Sequence, residues 1–268
     1  MWRIICDSGR SAQAQMAYDV QLAEAAQPTA RFFTWMPVAI SFGYKQSMPQ
    51  RWNQEAWRSA GLEAIERPTG GGIALHGSDV SISVVIPREW NWSVATMMEQ
   101  VCGSATRLCE SYGVQADALL DTSSSGRIAY CLTETSPYAV MVRGQKLAGF
   151  ALRRFPQSWL IQGSLLVREV PTELLQQLPV SVTTQLRDRA VSLSRAAGQL
   201  FTPYHGSPAC QGGEEVAGTP KPRASARGTG FTETDVAHRW SETWLREVEY
   251  SYTAVESHAW EEVNNAAR

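Results

Sequence analysis

Cys131 stands alone in a polar stretch between Ser123-Ser124-Ser125-Gly126 and Thr133-Glu134-Thr135-Ser136-Pro137. That composition reads as loop, and loop residues held by a rigid sheet are favoured carriers of function. A thiol there can serve as a nucleophile, although by residue type alone a small buried hydrophobe is the first reading. Fifteen positions on, Lys146 follows a tight turn at Arg143-Gly144. A lysine after a turn is ordinarily just solvated, but beside a thiol its charge would favour the thiolate. Upstream, Arg67-Pro68-Thr69-Gly70-Gly71-Gly72 leads through Ile73-Ala74-Leu75 to His76. Glycines without Cβ atoms let backbone amides come close to an anion or a carbonyl, whereas most glycine runs are simply turns. His76 by itself is more often structural than catalytic. A metal role is not expected for it, because His205, His238 and His258 all lie in the tail.

These groups need a scaffold. Val80, Ile82, Val84 and Ile86 alternate with Ser81, Ser83 and Val85, which predicts a half-buried strand just after the glycines. Residues 94–112 carry apolar side chains at helical spacing, from Val94 through Met97, Val101, Cys102, Ala105 and Leu108 to Cys109 and Tyr112. Gly113 supplies the stop. Cys102 and Cys109 fall on that stripe and are expected to be core residues rather than nucleophiles. Residues 12–26 read as a helix burying Met16, Val20 and Ala23. Strands are expected over Arg31–Trp35 and Val38–Tyr44, and helices over 171–178 and 181–199. From 202 to 230 the chain turns to Gly, Pro, Ser, Ala and Thr, the composition of a linker or long surface loop. Thr232 and Asp235 then resemble a helix N-cap, with Val236, Trp240, Trp244 and Val248 on one face. The expected division is a catalytic domain over 1–200, a linker over 201–230 and a helical tail over 231–268.

Composition bounds the function. Twenty-four Lys and Arg against 26 Asp and Glu leave a net charge of −2, which argues against a general nucleic-acid binder. No apolar run is long enough for a membrane span, and the N-terminus lacks a signal-peptide pattern. Five cysteines without CxxC spacing indicate neither a disulfide framework nor a zinc site, so a reducing cytoplasm is expected.

Arg-Pro-Thr-Gly-Gly-Gly with a following His, then Gly144-x-Lys146-x-x-Gly149-x-Ala151, then Gly163-Ser164-Leu165-Leu166, resembles the lipoate/octanoate attachment family. Its members include lipoate–protein ligases, octanoyltransferases and, more distantly, biotin–protein ligases. The resemblance covers roughly residues 15–200. It implies an α+β (α/β) fold of the biotin/lipoate protein ligase type, a mixed and mostly antiparallel sheet covered by helices. It also implies that Cys131 attacks an acyl thioester and that Lys146 holds the acyl carbonyl. Arg67, Gly70, Gly71, Gly72, His76, Gly149, Ala151 and Gly163 would line the substrate. The implied donor is an acyl carrier protein, and the acceptor a lysine of a lipoyl domain or glycine-cleavage H protein. A monomer is expected, with no metal or redox cofactor.

Some positions depart from the family pattern. Gly77-Ser78-Asp79 stands where ligases carry an acidic residue and then Gly-Asn, and Gly72 stands where Cys-dependent octanoyltransferases carry Arg. Leu152 replaces a Gln, Gln162 replaces a His, and Phe150 adds bulk where Ser or Thr is usual. Two other readings therefore stay open. One is an ATP- and Mg²⁺-dependent lipoate ligase in which Cys131 is dispensable, and the other is a silent binder of lipoyl domains. The polar, short tail tilts the choice toward a transferase.

Overall fold

The computed structural model describes residues 1–46, 54–120, 128–134, 136–198 and 232–246. Over these the chain runs β1 (Arg3–Arg10), α1 (Ala12–Ala25), β2 (Thr29–Trp35), β3 (Ala39–Phe42), α2 (Gln54–Ser59), β4 (Glu63–Glu66), β5 (Ala74–His76) and β6 (Asp79–Pro87). It continues through α3 (Val94–Ser111), β7 (Asp117–Leu119), β8 (Ala139–Val142), β9 (Gln145–Arg154) and β10 (Ser158–Leu166). Three short helices follow, α4 (Thr172–Leu175), α5 (Val180–Arg189) and α6 (Leu193–Gly198), and then α7 (233–246). Seven strands form one sheet in the order β1-β2-β6-β10-β9-β8-β7, and β4-β3-β5 form a second. Only the β1/β2 and β3/β4 pairs are parallel, so the sheets are mixed and mostly antiparallel, as expected. No helix among the described residues is long and apolar enough to cross a membrane.

The alternation in β6 is real, but the strand is buried on both faces rather than one. Val80, Ile82, Val84 and Ile86 join Met97, Met98, Val101, Cys102 and Leu108 in the main core. The intervening serines face a polar interior instead of solvent. Ser83 donates to Asp19, and Ser81 donates to Asp79 at 3.0 Å. The helix opposite is built to match. Ser11 caps α1 by accepting from Ala14 N–H, and its inner face carries Gln15, Met16, Asp19, Leu22 and Ala23. Val20 is only half-buried, contrary to the apolar face expected for it. The reason lies across the interface: Arg31 donates to Asp19 at 2.6 Å and to Asp7 at 2.8 Å, and Gln162 donates to Asp19 at 2.6 Å. Buried polar groups must find partners, so a polar sheet face selects a polar helix face.

Helix α3 follows its apolar period closely and is capped by Ser93. Cys102 and Cys109 are fully buried, and burial pushes both thiols up to about 12. They are core residues. The helix expected over 181–199 breaks after Arg189, because Ala190 bridges Lys146 and Val191 N–H donates to Lys146 O at 3.0 Å. This break clamps the backbone of Lys146 from outside the sheet.

The capping of α7 by Thr232, which accepts from Asp235 N–H at 3.1 Å, matches its sequence signal. Val236, Trp240 and Trp244 are fully buried in the main core, Trp240 donates to Ser104 at 3.1 Å, and Trp244 packs on Trp2 at 5.3 Å. Val248 and the 202–230 segment lie outside the described residues. Trp240→Ala should destabilise the protein by about 3–5 kcal/mol, the usual effect of emptying a large aromatic site. Urea denaturation would measure it, and a change below ~1 kcal/mol would mean that α7 adds little to the core.

Candidate active site

The second sheet and the glycine segment close over one face of the large sheet and leave a pocket of about 720 Å³, counted to its open mouth. Met16, Phe33, Trp35, Leu75 and Phe150 supply its apolar lining. Cys131, Arg67 and Lys146 open into the same space.

Close backbone packing seats Cys131. Its N–H donates to Ile73 O at 2.8 Å, and Ile73 N–H donates to Ala129 O at 2.8 Å, so the thiol segment is laced to the exit of the glycine run. A Cβ on Gly72 would lie 2.8 Å from the carbonyl oxygens of Ile128 and Ala129, which only glycine permits. Gly71 has φ +90°, and a Cβ there would sit 2.9 Å from the Arg67 guanidinium and 3.8 Å from Cys131 Sγ. Sequence reasoning misses Gly43. A Cβ on it would lie 2.0 Å from Gly71 O, so this glycine just past β3 makes room for the whole loop. Gly70 opens on free space.

Arg67 ties the loop together. One guanidinium nitrogen donates to Gly70 O and Gly72 O, each at 2.7 Å, and lies 3.7 Å from Cys131 Sγ. The other donates to Ser41 O at 3.1 Å and Ser41 Oγ at 3.2 Å. Lys146 reaches the site from β9, where the β8–β9 turn at Arg143 and Gly144 takes positive φ. It is buried rather than solvated, and its ammonium donates to Glu134 O at 3.0 Å and Ser136 Oγ at 2.7 Å. Gly149 leaves space for it, since a Cβ there would lie 3.1 Å from Lys146 Cε. Burial lowers the Lys146 ammonium below its ordinary range, while Cys131 and Glu134 pull it back up.

Among the described residues, neither Arg67 nor Lys146 forms an ion pair with a carboxylate. The Glu134 carboxylate accepts instead from the N–H groups of Ala129 and Tyr130. A buried cation such as Arg67, whose hydrogen-bond acceptors are all neutral, is costly unless an anion visits it. With Lys146 opening on the same space, the site can receive negative charge, whether a thiolate or an oxyanion.

The remaining expected residues sort by geometry. Ala151 lines the pocket beside Gly71. Gly163 is required by Phe150, whose ring would overlap a Cβ at 2.1 Å. His76 lines the pocket but both of its ring nitrogens are engaged, with Asp79 at 2.8 Å and with Ser41 at 2.8 Å, and its ring stacks on Trp35 at 3.9 Å. Sequence reasoning does not single out Ser41, Asp79 or Ser136. The only signal for Asp79 is its position three residues after the motif histidine. No cluster of three or more His, Cys, Asp or Glu side chains among the described residues could hold a metal ion.

A sheet pair enclosing a largely apolar pocket, with a glycine loop, a thiol and a buried lysine at its wall, has the makings of an enzyme site. The chain belongs to the lipoyl protein ligase A/B catalytic domain family, whose model matches residues 11–204. Octanoyltransferase LipM of Symbiobacterium thermophilum is 32% identical over 219 residues, covering 74% of this chain and 79% of that protein. Octanoyltransferase LipM of Bacillus subtilis is 28% identical over 70% of this chain and 73% of its own length. The fold also matches solved lipoate ligases. A lipoate-protein ligase A bound with ATP superposes with TM-score 0.61 at 17% identity, covering 90% of this chain and 84% of that one. A lipoate protein ligase of T. acidophilum with bound lipoic acid gives 0.60 at 17% identity, with the same coverage.

Proposed function

We propose that this protein is an octanoyltransferase that moves the acyl group from acyl carrier protein, through a thioester on Cys131, to a lysine of a lipoyl domain or glycine-cleavage H protein. The observation that carries this reading is the Cys131 thiol at a largely apolar pocket, 3.7 Å from the Arg67 guanidinium and sharing that pocket with the buried Lys146. The similarity to octanoyltransferases over about three quarters of the chain supports octanoyl as the transferred group.

In the first half-reaction the Cys131 thiolate attacks the donor thioester carbon. The negative charge moves to the carbonyl oxygen, and Arg67, Lys146 and the glycine-loop amides are the groups at hand to hold it. Collapse expels the carrier thiolate, which takes up the proton shed by Cys131. One thioester replaces another, so the acyl group remains activated. In the second half the acceptor lysine amine attacks the Cys131 thioester. The amine loses its proton, with Lys146 in its neutral form as the acceptor, and Cys131 leaves as the thiolate. The lowered Lys146 ammonium serves this step, because the neutral amine is available at a pH where a solvated lysine stays charged.

Intact-protein mass spectrometry tests the route. Incubation with octanoyl-carrier protein should add one octanoyl group that maps to Cys131 and is removed by hydroxylamine. Acylation of a lipoyl domain from free acid plus ATP and Mg²⁺, without any adduct on the enzyme, would establish the ligase reading instead. Binding of a lipoyl domain with no acylation from either donor would mark a silent binder.

A further inference from the structure

The buried carboxylate of Asp79 forms no hydrogen bond or ion pair with Arg67 or Lys146 among the described residues. Its Oδ2 accepts from Ser81 at 3.0 Å and from Ser164 at 2.6 Å, and its Oδ1 accepts from Gly77 N–H at 3.0 Å. The same carboxylate meets His76 Nδ1, whose ring reaches Ser41 through Nε2, and Ser41 in turn meets Arg67. All four residues are less than a tenth exposed.

Donor inventory sets the direction of this chain. Arg67 can only donate, so Ser41 Oγ accepts from it, and the same hydroxyl meets His76 Nε2. At the other end His76 Nδ1 faces a carboxylate, which can only accept, so Nδ1 is the donor there. Each of these side chains thus has a partner on both sides along the line. Burial by itself would push the Asp79 carboxyl up, but His76, Ser164 and the Gly77 N–H outweigh it and leave it below the ordinary carboxylate range. The anion is therefore stable at its end of the chain, two side chains away from the guanidinium.

We propose that His76 and Ser41 form a spacer that orients Arg67 against Cys131 through Asp79 while keeping the carboxylate from pairing with the guanidinium. A direct Asp–Arg pair would hold Arg67 firmly but would neutralise it. The spacer keeps the orientation and leaves the positive charge for sulfur or an oxyanion. Asp79, His76 and Ser41 are thus positioning residues, and Arg67 is the group that faces the reacting atoms. This assignment rests on Cys131 as the nucleophile. Its test uses no acyl donor, so it stands or falls separately from the octanoyl adduct.

Alkylation of Cys131 by anionic iodoacetate and by neutral iodoacetamide, read by peptide mass spectrometry, reports the local positive charge as the ratio of the two rates. Charged groups facing the thiol are Arg67 and Lys146, with Glu134 close by. Arg67→Gln sets the benchmark for loss of the guanidinium. Ser41→Ala and Asp79→Asn should each move the ratio toward that benchmark, by up to about tenfold, the effect of one hydrogen bond to a charged group. Ser41→Thr, which keeps the hydroxyl, should restore it. Protection of Cys102 and Cys109 from both reagents verifies that each variant is folded. An unchanged ratio in folded Ser41→Ala and Asp79→Asn, with only the melting temperature lowered, would overturn the proposal and leave the chain a structural one.

Discussion

Cys131→Ser should lower octanoyl transfer from the carrier thioester by about 10³-fold or more, because removing a covalent nucleophile removes the route and not just one contact. A hydroxyl has the shape of the thiol but is far harder to ionise, and its ester would be a poorer acyl donor to an amine. The fold should be unaffected. The backbone of Cys131 is held by its N–H bond to Ile73 O, which does not involve sulfur, and a serine hydroxyl is small enough to stand where Sγ meets Gly71 and Arg67. The decisive comparison is between donors. Loss of transfer from octanoyl-carrier protein with no gain or loss of ATP-driven acylation fits the acyl-enzyme. Retention of activity by the serine variant would remove Cys131 from the chemistry and favour an adenylate route.

Lys146→Met should lower transfer by about 10²–10⁴-fold, the range for loss of a positioned acid–base group. Its effect on stability should be small and of the opposite kind. A lysine whose folded pKa is lowered binds fewer protons in the native state than in the unfolded chain, between that lowered value and 10.5. Stability therefore rises with pH across this window, and below it the buried charge opposes folding. Methionine removes the charge and keeps most of the volume, so the slope should vanish and stability at neutral pH should hold or increase. Single-turnover transfer from preformed acyl-enzyme gives the second readout. The wild-type rate should climb with pH as Lys146 sheds its proton, and the methionine variant should lose that limb. A variant that keeps the limb would place the titrating group elsewhere, for example on the acceptor lysine.

Those two residues stand out in the sequence only through the family's ordered motifs, and by residue type alone they read as a buried thiol and a solvated lysine. The Gly-x-Lys-x-x-Gly spacing works through a tight turn and a neighbouring glycine, and Gly149 does leave room for the Lys146 side chain. The glycine run announces a close backbone approach, and Gly71 and Gly72 make one. The period of α3 likewise sorts Cys102 and Cys109 into the core, since helical periodicity reports which face is buried.

The differences between expectation and fold share a cause. Period two in β6 marks two different faces, but it says nothing of what covers each. The serine face reads as solvent-facing, and α1 with the second sheet covers it instead. An apolar face of Met16, Val20 and Ala23 is the natural expectation for α1, yet Asp19 sits on the buried side because Arg31 and Gln162 lie opposite. The helix expected over 181–199 breaks because Ala190 and Val191 pair with Lys146, more than forty positions earlier.

The sequence by itself determined the family and the mixed α+β scaffold, through its ordered motifs, and the burial of Cys102 and Cys109, through helical spacing. Only the tertiary structure decided that Lys146 is buried, that Arg67 meets neutral partners among the described residues, and that Ser41, His76 and Asp79 stand behind it. Charge states and partners of buried groups depend on what the fold brings within about 3 Å, and that proximity joins β3, β5 and β6 across dozens of residues with no periodic trace in the chain.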